Sequence, residues 1–353
     1  MRILYLNGQP LSSRNSTIIA GLRMNNVMVT EYSSHSRSYF QRYLKILFKY
    51  LLSNKKEFDL IFIGFFGQPL VPILRILSNK PIVLDALISS FDTMCYDRKV
   101  FTPESFRGRF FYWLDKTSCK LADKVLLDTN EHINYFVNTF SINRQKFRRI
   151  FVGADSTILY PRNAIDDNKF IVFYYGSFLP LQGIDIIIIA AKILEPHNDI
   201  LFKIIGKGME SKKIKNMVYD LNLKNIEFID WVPYNELADH ISHASICLGG
   251  HFSNIEKAKK VISGKTFHFI AMKKPVIIGD NPANRELFED GKSAVFVEHG
   301  NPEALAFAIL ELKDNKFLCK TIAEGGYQAF KEKCTHNIIG KEIKSILEEL
   351  IKC

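Results

Sequence analysis

Residues 244–291 constrain the fold more than any other stretch of the chain. They read ASICLGGHFSNIEKAKKVISGKTFHFIAMKKPVIIGDNPANRELFEDG. Two short apolar runs, 245–248 and 275–278, have the length of buried parallel strands and are bounded by glycine or proline. Between them, Ser263-Gly264-Lys265-Thr266 opens an apolar segment at 267–272, as helix N-termini do. Such an end has free backbone N–H groups and a partial positive charge, so it holds phosphate well, and Lys265 adds a full charge. A polar loop after the second run ends in Arg285 and Glu286. Strand, anion-binding helix start, strand and acidic loop form, in that order, the frame of a nucleotide-diphosphate pocket. The same residues also fit an ordinary αβ unit whose charges face water.

Apolar runs of this kind recur along the chain, separated by stretches of helical length. In the first part they fall at 2–6, 60–65, 82–84, 125–127 and 150–152, with a helix over 15–24. A polar break at 155–168 holds Pro161. A second series follows at 170–175, 201–205, 226–229 and 294–297, with helices at 184–194, 236–242, 302–312, 317–333 and 337–353. Continuous apolar runs alternating with helices predict an α/β protein whose parallel sheets are covered on both faces. A length of 353 residues suits two domains, each with its own core. The break sets them at 1–160 and 161–336, with the last helix, about 337–353, placed to pack back on the first.

Charge is divided unevenly between these parts. Residues 1–160 carry 22 Lys and Arg against 12 Asp and Glu, and the remainder carries 25 of each, so the whole net charge of +10 lies in the first part. A one-sided basic domain suggests an anionic partner. Residues 39–52, YFQRYLKILFKYLL, place Arg42, Lys45 and Lys49 on one helical face and Tyr43, Ile46, Leu47 and Tyr50 on another. FRGRFFYWLDK at 106–116 repeats the aromatic and basic mixture. These stretches read either as surface helices of the first domain or as peripheral contacts with an anionic membrane. No nucleic-acid motif accompanies the basic residues, so nucleic acid is not an expected partner. No apolar run reaches the roughly 18 residues of a membrane span. The opening MRILYLNGQP is too short an apolar stretch for a signal peptide, which points to the cytoplasm. The cysteines at 95, 119, 247, 319, 334 and 353 form no C-x-x-C pair and have no histidine at metal spacing, so they read as reduced thiols.

Ligands of parallel sheets bind beyond the C-terminal ends of the strands. In the first domain these positions include 64–67, 85–98, 128–130 and 153–155. DALISSFDTMCYDR at 85–98 gathers Asp85, Ser89, Ser90, Asp92, Asp97 and Arg98 after one strand. Asp85 and Asp92 are the candidates for a general base, although acids in such a loop also cap turns. There is no G-x-G-x-x-G fingerprint.

In the second half, the order of motifs resembles the donor domain of GT-B glycosyltransferases of the large retaining "group 1" (family 4-like) type, over about residues 174–312. The likeness rests on Gly-x-Phe-x-Pro-Leu-Gln-Gly at 176–183, Ile-Ile-Gly-Lys-Gly at 204–208, the stretch 225–232, and the cysteine-containing run 244–249. It continues through Lys265, Ala271-Met272, Lys274-Pro275-Val276-Ile277, Arg285-Glu286, Asp290-Gly291 and Asn301-Pro302-Glu303-Ala304-Leu305. Residues 85–98, 123–129 and 152–155 look like acceptor-domain landmarks of the same branch. The resemblance implies two Rossmann-like domains with parallel sheets facing a cleft, the nucleotide sugar on the second and a saccharide or lipid-linked acceptor on the first. It implies transfer with retention and without a metal, in cell-envelope polysaccharide or glycoconjugate synthesis, and no cofactor beyond the nucleotide-sugar substrate. No Asp-x-Asp at a strand end argues otherwise.

The donor contacts implied are Gly176, Ser177, Gln182, Gly206, Lys207, Trp231, Val232, Gly264, Thr266, His268, Arg285 and Glu286. Lys265 and the amides of 264–266 would meet the charge of the departing diphosphate. Glu286 would hold sugar hydroxyls, His268 the ribose, and Arg285 either the phosphates or a neighbouring acid. The chain departs from the family at four of its positions. Ser177 and Gln182 stand where many members place an arginine and a lysine, and Lys260 and His268 replace two glutamates eight apart. These departures keep open a non-catalytic nucleotide-sugar-binding or scaffold protein, and the basic first half keeps open a protein that binds anionic membrane surfaces. A third alternative is an epimerase acting on a nucleotide sugar, which would need carboxylates in the cleft and no acceptor.

Overall fold

The apolar runs become the strands of two separate parallel sheets. The computed structural model describes every residue except Leu11, residues 163–168 and Cys353. The chain forms two compact units, one of Met1–Asp155 with Lys333–Cys353 and one of Ser156–Glu332. Much of the expected polar break, and the last of the cysteines, lie outside the described residues. Among the described residues no helix is long and apolar enough to cross a membrane.

The first unit runs β1 (Arg2–Asn7), α1 (Ser13–Met24), β2 (Met28–Ser33), α2 (Tyr39–Leu52), β3 (Leu60–Ile63), α3 (Leu70–Leu77), β4 (Ile82–Asp85), α4 (Ser90–Asp92), α5 (Phe106–Leu121), β5 (Lys124–Leu127), α6 (Asn130–Phe140) and β6 (Phe147–Arg149). Its sheet has the order β2-β1-β3-β4-β5-β6, with every described pair parallel. Side chains alternate across it. Leu4, Leu6, Ile61, Ile63, Leu84 and Leu127 face α2, α3, α5 and α6, where they meet Ile46, Tyr50, Leu70, Leu74 and Phe136. Ile3, Tyr5, Phe62, Val83 and Leu126 face the other way, toward Ile18 and Leu22 of α1.

Two features differ from the sequence reading. β2 carries no continuous apolar run because it is an edge strand with most of its residues exposed or half-exposed. The last strand is Phe147–Arg149, not 150–152. Ile150 and Phe151 turn their carbonyls instead to the Arg14 guanidinium, at 2.9 and 2.6 Å.

The second unit runs β7 (Phe170–Tyr175), α7 (Ile184–Ile193), β8 (Ile200–Ile205), α8 (Ser211–Asp220), β9 (Ile226–Ile229), α9 (Tyr234–Ser242), β10 (Ile246–Leu248), α10 (Gly264–Ala271), β11 (Val276–Gly279), α11 (Pro282–Arg285), β12 (Val295–Val297), α12 (Pro302–Asp314) and α13 (Lys316–Lys333). Its order is β12-β11-β10-β7-β8-β9, again parallel. Strand order reverses between β7 and β10. At such a switch point the loops leaving two neighbouring strands part, and a crevice opens beyond their C-terminal ends. Its core gathers Val172, Phe202, Ile246 and Ile277 with Ile187, Ile188, Leu305 and Ile309 of α7 and α12.

The chain then returns to the first unit as α14 (His336–Lys352), whose Ile339, Ile343 and Leu347 cover the α1 side of that sheet. The crossing depends on two glycines. A Cβ on Gly340 would lie 2.0 Å from the Gly21 carbonyl oxygen, and one on Gly21 would lie 2.2 Å from the His336 carbonyl oxygen. Asn25 secures the contact by donating to the Asn337 carbonyl at 3.0 Å.

Candidate functional site

A cavity opens in the second unit beyond the C-terminal ends of β7, β8 and β9, next to the β7–β10 switch point and not in it. Beyond β7 the chain passes through Gly176 at φ +151°, and beyond β8 through Gly206 at φ +143°. Both lie in the region that side chains disfavour. A Cβ on Gly206 would stand 2.0 Å from the Gly176 carbonyl oxygen, so the two strand-end loops lie against each other only as glycines. Over them opens a cavity of about 510 Å³. Six of the sequence-predicted residues line it: Gly176, Ser177, Gly206, Lys207, Trp231 and Val232. Tyr175, Asp230 and Tyr234 complete its walls. Trp231 is 67% exposed, so its ring is open to stacking by a planar ligand at the rim.

Behind the cavity lies the start of α10. Ser263 takes the N-cap position without a side-chain cap. A Cβ on Gly264 would meet nothing within 4 Å, so the space before the helix is open. Among the described residues the Gly264 and Lys265 amides have no recorded acceptor. Thr266 is a correction to the expected set. Its amide donates to Ser263 O at 3.0 Å, and its fully buried hydroxyl points to Gly249 O at 3.4 Å. Its N–H already has an acceptor, so the anion-binding amides reduce to two.

Lys265 is buried, and its side chain passes beneath the β7 end. A Cβ on Gly176 would lie 3.1 Å from Lys265 Cε. The ammonium donates to Ser263 Oγ at 3.1 Å and to the Gln182 side-chain oxygen, and it lies 4.8 Å from the centre of the Tyr174 ring. No carboxylate shifts its titration, and burial alone pushes its pKa down to about 7. Gln182 also accepts from the Tyr174 hydroxyl at 3.3 Å, so this residue orients the lysine. His251 stands in the same patch. It is buried, its Nδ1 has no partner among the described residues, and burial followed by the charges of Lys265 and Lys257 holds its pKa well below the usual value. A buried lysine, a buried imidazole and a helix start, with no acid shaping their titration, make a patch whose chemistry suits an anion.

The remaining donor candidates are placed differently from expectation. His268 is buried behind the cavity wall, with Nδ1 bonded to the Tyr175 hydroxyl and its ring stacked on that of Tyr175. That nitrogen is engaged, so the expected ribose contact does not follow from the geometry. Arg285 is exposed and grips Asp280 with two 2.8 Å bonds while lying over Phe296. Of its two expected roles the structure shows the acid pair. Glu286 sits half-buried at the C-terminal end of α11.

In the first unit Asp85 is fully buried and gives both carboxylate oxygens to Arg14, at 2.9 and 3.0 Å. It is therefore corrected from general base to structural ion pair. Asp92 is buried at the C-terminal end of α4, and its Oδ2 has no partner among the described residues. Asp115, which the sequence reading missed, accepts from the Ser89 hydroxyl at 2.8 Å and the Phe91 amide at 2.9 Å. Burial raises its pKa to about 6 against the pull of those bonds. His132 Nδ1 pairs with Asp128 at 2.8 Å. Spacing of four across the start of a helix was the available signal for that pair. The signal for His251 was its place directly after Gly249-Gly250 at a strand end. Among the described residues no cluster of three or more His, Cys, Asp or Glu is arranged to hold a metal.

Known proteins resemble this chain in sequence and in fold. Residues 155–329 match the family model for glycosyl transferases group 1. The chain is 30% identical over 251 residues to an uncharacterized glycosyltransferase, MJ1178, of Methanocaldococcus jannaschii, covering 70% of this chain and 64% of the relative. It is 28% identical over 252 residues to the poly(ribitol-phosphate) alpha-N-acetylglucosaminyltransferase of Staphylococcus aureus, covering 67% of this chain and 46% of the relative. The chain thus spans less than two thirds of the length of either curated relative. The crystal structure of Anabaena Alr3699/HepE in complex with UDP superposes with a TM-score of 0.75 at 17% identity, over 99% of this chain and 100% of that one. The same Anabaena protein is also solved with UDP-glucose. At this identity the likeness speaks for the fold, which is GT-B.

Proposed function

Through residues 155–329 this chain belongs to the group 1 glycosyl transferases, and from that premise we propose that it moves a sugar from a nucleotide-sugar donor to a saccharide or lipid-linked acceptor. One observation carries the reading: Lys265 is buried beneath Gly176 and beside the cavity, and among the described residues no carboxylate shifts its titration, an arrangement that suits a bound anion. A nucleoside diphosphate supplies one. Its base would stack at Trp231, its ribose would lie near Gly206 and Val232, and its phosphates would reach the Gly264 and Lys265 amides. As the bond from the anomeric carbon to the phosphate oxygen breaks, negative charge grows on the departing diphosphate. Donors already in place stabilise that charge at no further cost of reorganisation. Lys265, two amides and the α10 dipole do this here without a divalent ion.

Asp85 is closed off by Arg14 and Asp92 is buried. The acceptor proton therefore passes to an oxygen of the departing phosphate on the face from which the acceptor attacks, and the anomeric configuration is retained. Glu286 is assigned to the sugar hydroxyls. The Anabaena structures with UDP and UDP-glucose make a uridine nucleotide the first donor to test. We assign this chain a role in envelope glycans; the S. aureus relative is named for transfer of N-acetylglucosamine to poly(ribitol-phosphate), a polymeric acceptor. We place the protein in the cytoplasm, peripheral on the inner face of the cell membrane.

A second reading, binding without transfer, is favoured by the engagement of His268 with Tyr175. A thermal-shift panel of UDP-, GDP-, ADP- and CMP-sugars, followed by turnover with the best binder, separates the two. Stabilisation with neither transfer nor donor hydrolysis leaves only the second reading, and no stabilisation by any nucleotide sugar sinks both.

A further inference from the structure

Helices α2, α3 and α5 cover the same face of the first sheet, and each turns large apolar side chains outward. At 3.6 residues per turn, α2 carries two adjoining apolar stripes. Tyr43, Ile46, Leu47 and Tyr50 pack on the sheet, while Phe40, Leu44, Phe48 and Leu51 are exposed to solvent. The core covers only the first stripe. Ile76 of α3 is 86% exposed, and on α5 Phe106 is 87% exposed with Phe110 and Trp113 also open. Scattered exposed apolar residues are ordinary, but rows of them on neighbouring helices mark a contact surface.

The charges beside these rows are not neutralised. Arg42 donates to Ser36 O and to the Gln9 side chain, Lys45 to Ser36 Oγ at 2.9 Å, and Lys49 to Ser33 O at 3.2 Å. None of the three forms an ion pair with a carboxylate among the described residues. Arg107 lies over Phe101 and Lys116 over Tyr112, which also leaves their charges unpaired with acids. A shallow depression of about 620 Å³ lies beside α2, where His35, Lys45 and Lys49 stand next to Leu44 and Phe48. The first unit as a whole holds 26 Lys and Arg against 15 Asp and Glu, and the second 21 against 22.

We propose that the α2–α3–α5 face docks on an anionic lipid bilayer. Phenylalanine, tryptophan and leucine tips enter the boundary between headgroups and acyl chains, and the lysine and arginine rows meet lipid phosphates. The partner is a lipid surface and not a folded protein because the apolar tips stand on convex helices whose flanking charges have one sign. This deepens the membrane location given above and rests on it only for the choice of leaflet. N-terminal ends of α2 and α5 lie at the sheet edge where strands deliver their ligand loops, so docking would hold that edge near lipid-borne molecules.

The experiment is sedimentation of the whole protein with vesicles of phosphatidylcholine alone or mixed with phosphatidylglycerol, at about 0.15 M salt. No donor is present, so docking is scored whether or not sugar is transferred. The expected result is binding to the mixed vesicles only. With about a fivefold gain per cation at such a surface, Lys45→Gln with Lys49→Gln weakens it about 25-fold. Phe40→Ser with Phe48→Ser weakens it at any salt concentration. Circular dichroism of each variant checks that it is folded. In a Trp231→Phe background, Trp113 emission shifts to the blue on binding. Equal binding to neutral vesicles, binding to duplex DNA but not to vesicles, or self-association that the Phe40 and Phe48 changes abolish would each overturn the proposal.

Discussion

The Lys265 ammonium is held by the side-chain oxygen of Gln182, and among the described residues no carboxylate shifts its titration. A neutral amide orients the lysine without cancelling its charge, so the full electrostatic effect is kept for whatever enters beside it. An acid in place of Gln182 would occupy the lysine permanently.

Lys265→Ala should therefore lower sugar transfer by about 100-fold or more, in the range seen on deleting a single oxyanion donor. Steady-state turnover with the donor chosen by the thermal-shift panel measures it. Activity within a few-fold of the parent would remove Lys265 from the phosphate site. Gln182→Glu should reduce turnover as well, by pairing the lysine before the donor arrives.

Burial gives Lys265 a pKa of about 7 in the ligand-free protein. A lysine in the unfolded chain titrates at about 10.4. Between those values the unfolded chain binds the extra proton, so stability rises with pH across this window, by at most about 1.4 kcal/mol per unit from this group. Urea unfolding at pH 7, 8 and 9 should show that slope, and Lys265→Met should flatten it. A bound diphosphate favours the charged form. Binding above pH 7 should accordingly take up a proton, and donor affinity should fall as the pH climbs. Calorimetry in two buffers of different ionisation enthalpy reads the proton directly, and an identical heat in both would refute the linkage.

Asp115 titrates in the opposite sense. Its folded value of about 6 lies above the roughly 3.9 of an unfolded aspartate, so the folded state holds the extra proton between them. Stability should decline as pH rises through that window, by up to about 3 kcal/mol. Asp115→Asn keeps an oxygen for the Phe91 amide and the Ser89 hydroxyl. The variant should be more stable than the parent at pH 8, as read by its urea midpoint.

Asp85→Ala leaves the Arg14 guanidinium buried without its counter-charge. The expected loss is about 3–5 kcal/mol of stability. If the variant instead unfolds like the parent and loses transfer activity, Asp85 is a base after all.

Gly340→Ala places a methyl group 2.0 Å from the Gly21 carbonyl oxygen. Helix α14 must shift on α1, at a cost of about 1–3 kcal/mol for overpacking. Hydrogen exchange should show the loss in α1 and α14, with the second unit unaffected.

Several strands of the second unit were readable because they are continuous apolar runs closed by glycine or a charged residue, as at β7 and β11. β2 was not, because an exposed edge strand has no apolar run to announce it. Gly176, Gly206, Trp231 and Val232 were readable because a ligand loop follows its strand directly in sequence. Asp85 was misread because its partner, Arg14, lies 71 residues earlier, and nothing local reveals a guanidinium arriving from another helix. Thr266 was misread for a smaller reason: whether a first-turn amide bonds backward or outward depends on the tightness of one turn, which composition does not record. Lys265 itself was legible as a cation at a helix start, but its burial was not.

The return of α14 to the first sheet means that one unit is nested within the other. Residues 156–332 form an uninterrupted segment, whereas the host is assembled from pieces on either side of it. The nested part is one continuous segment with its own core, so it is expected to fold when produced by itself, which circular dichroism of residues 156–332 would test. Its host cannot be made by simple truncation, because stopping the chain before α14 strips Ile339, Ile343 and Leu347 from a hydrophobic layer that no other described segment replaces.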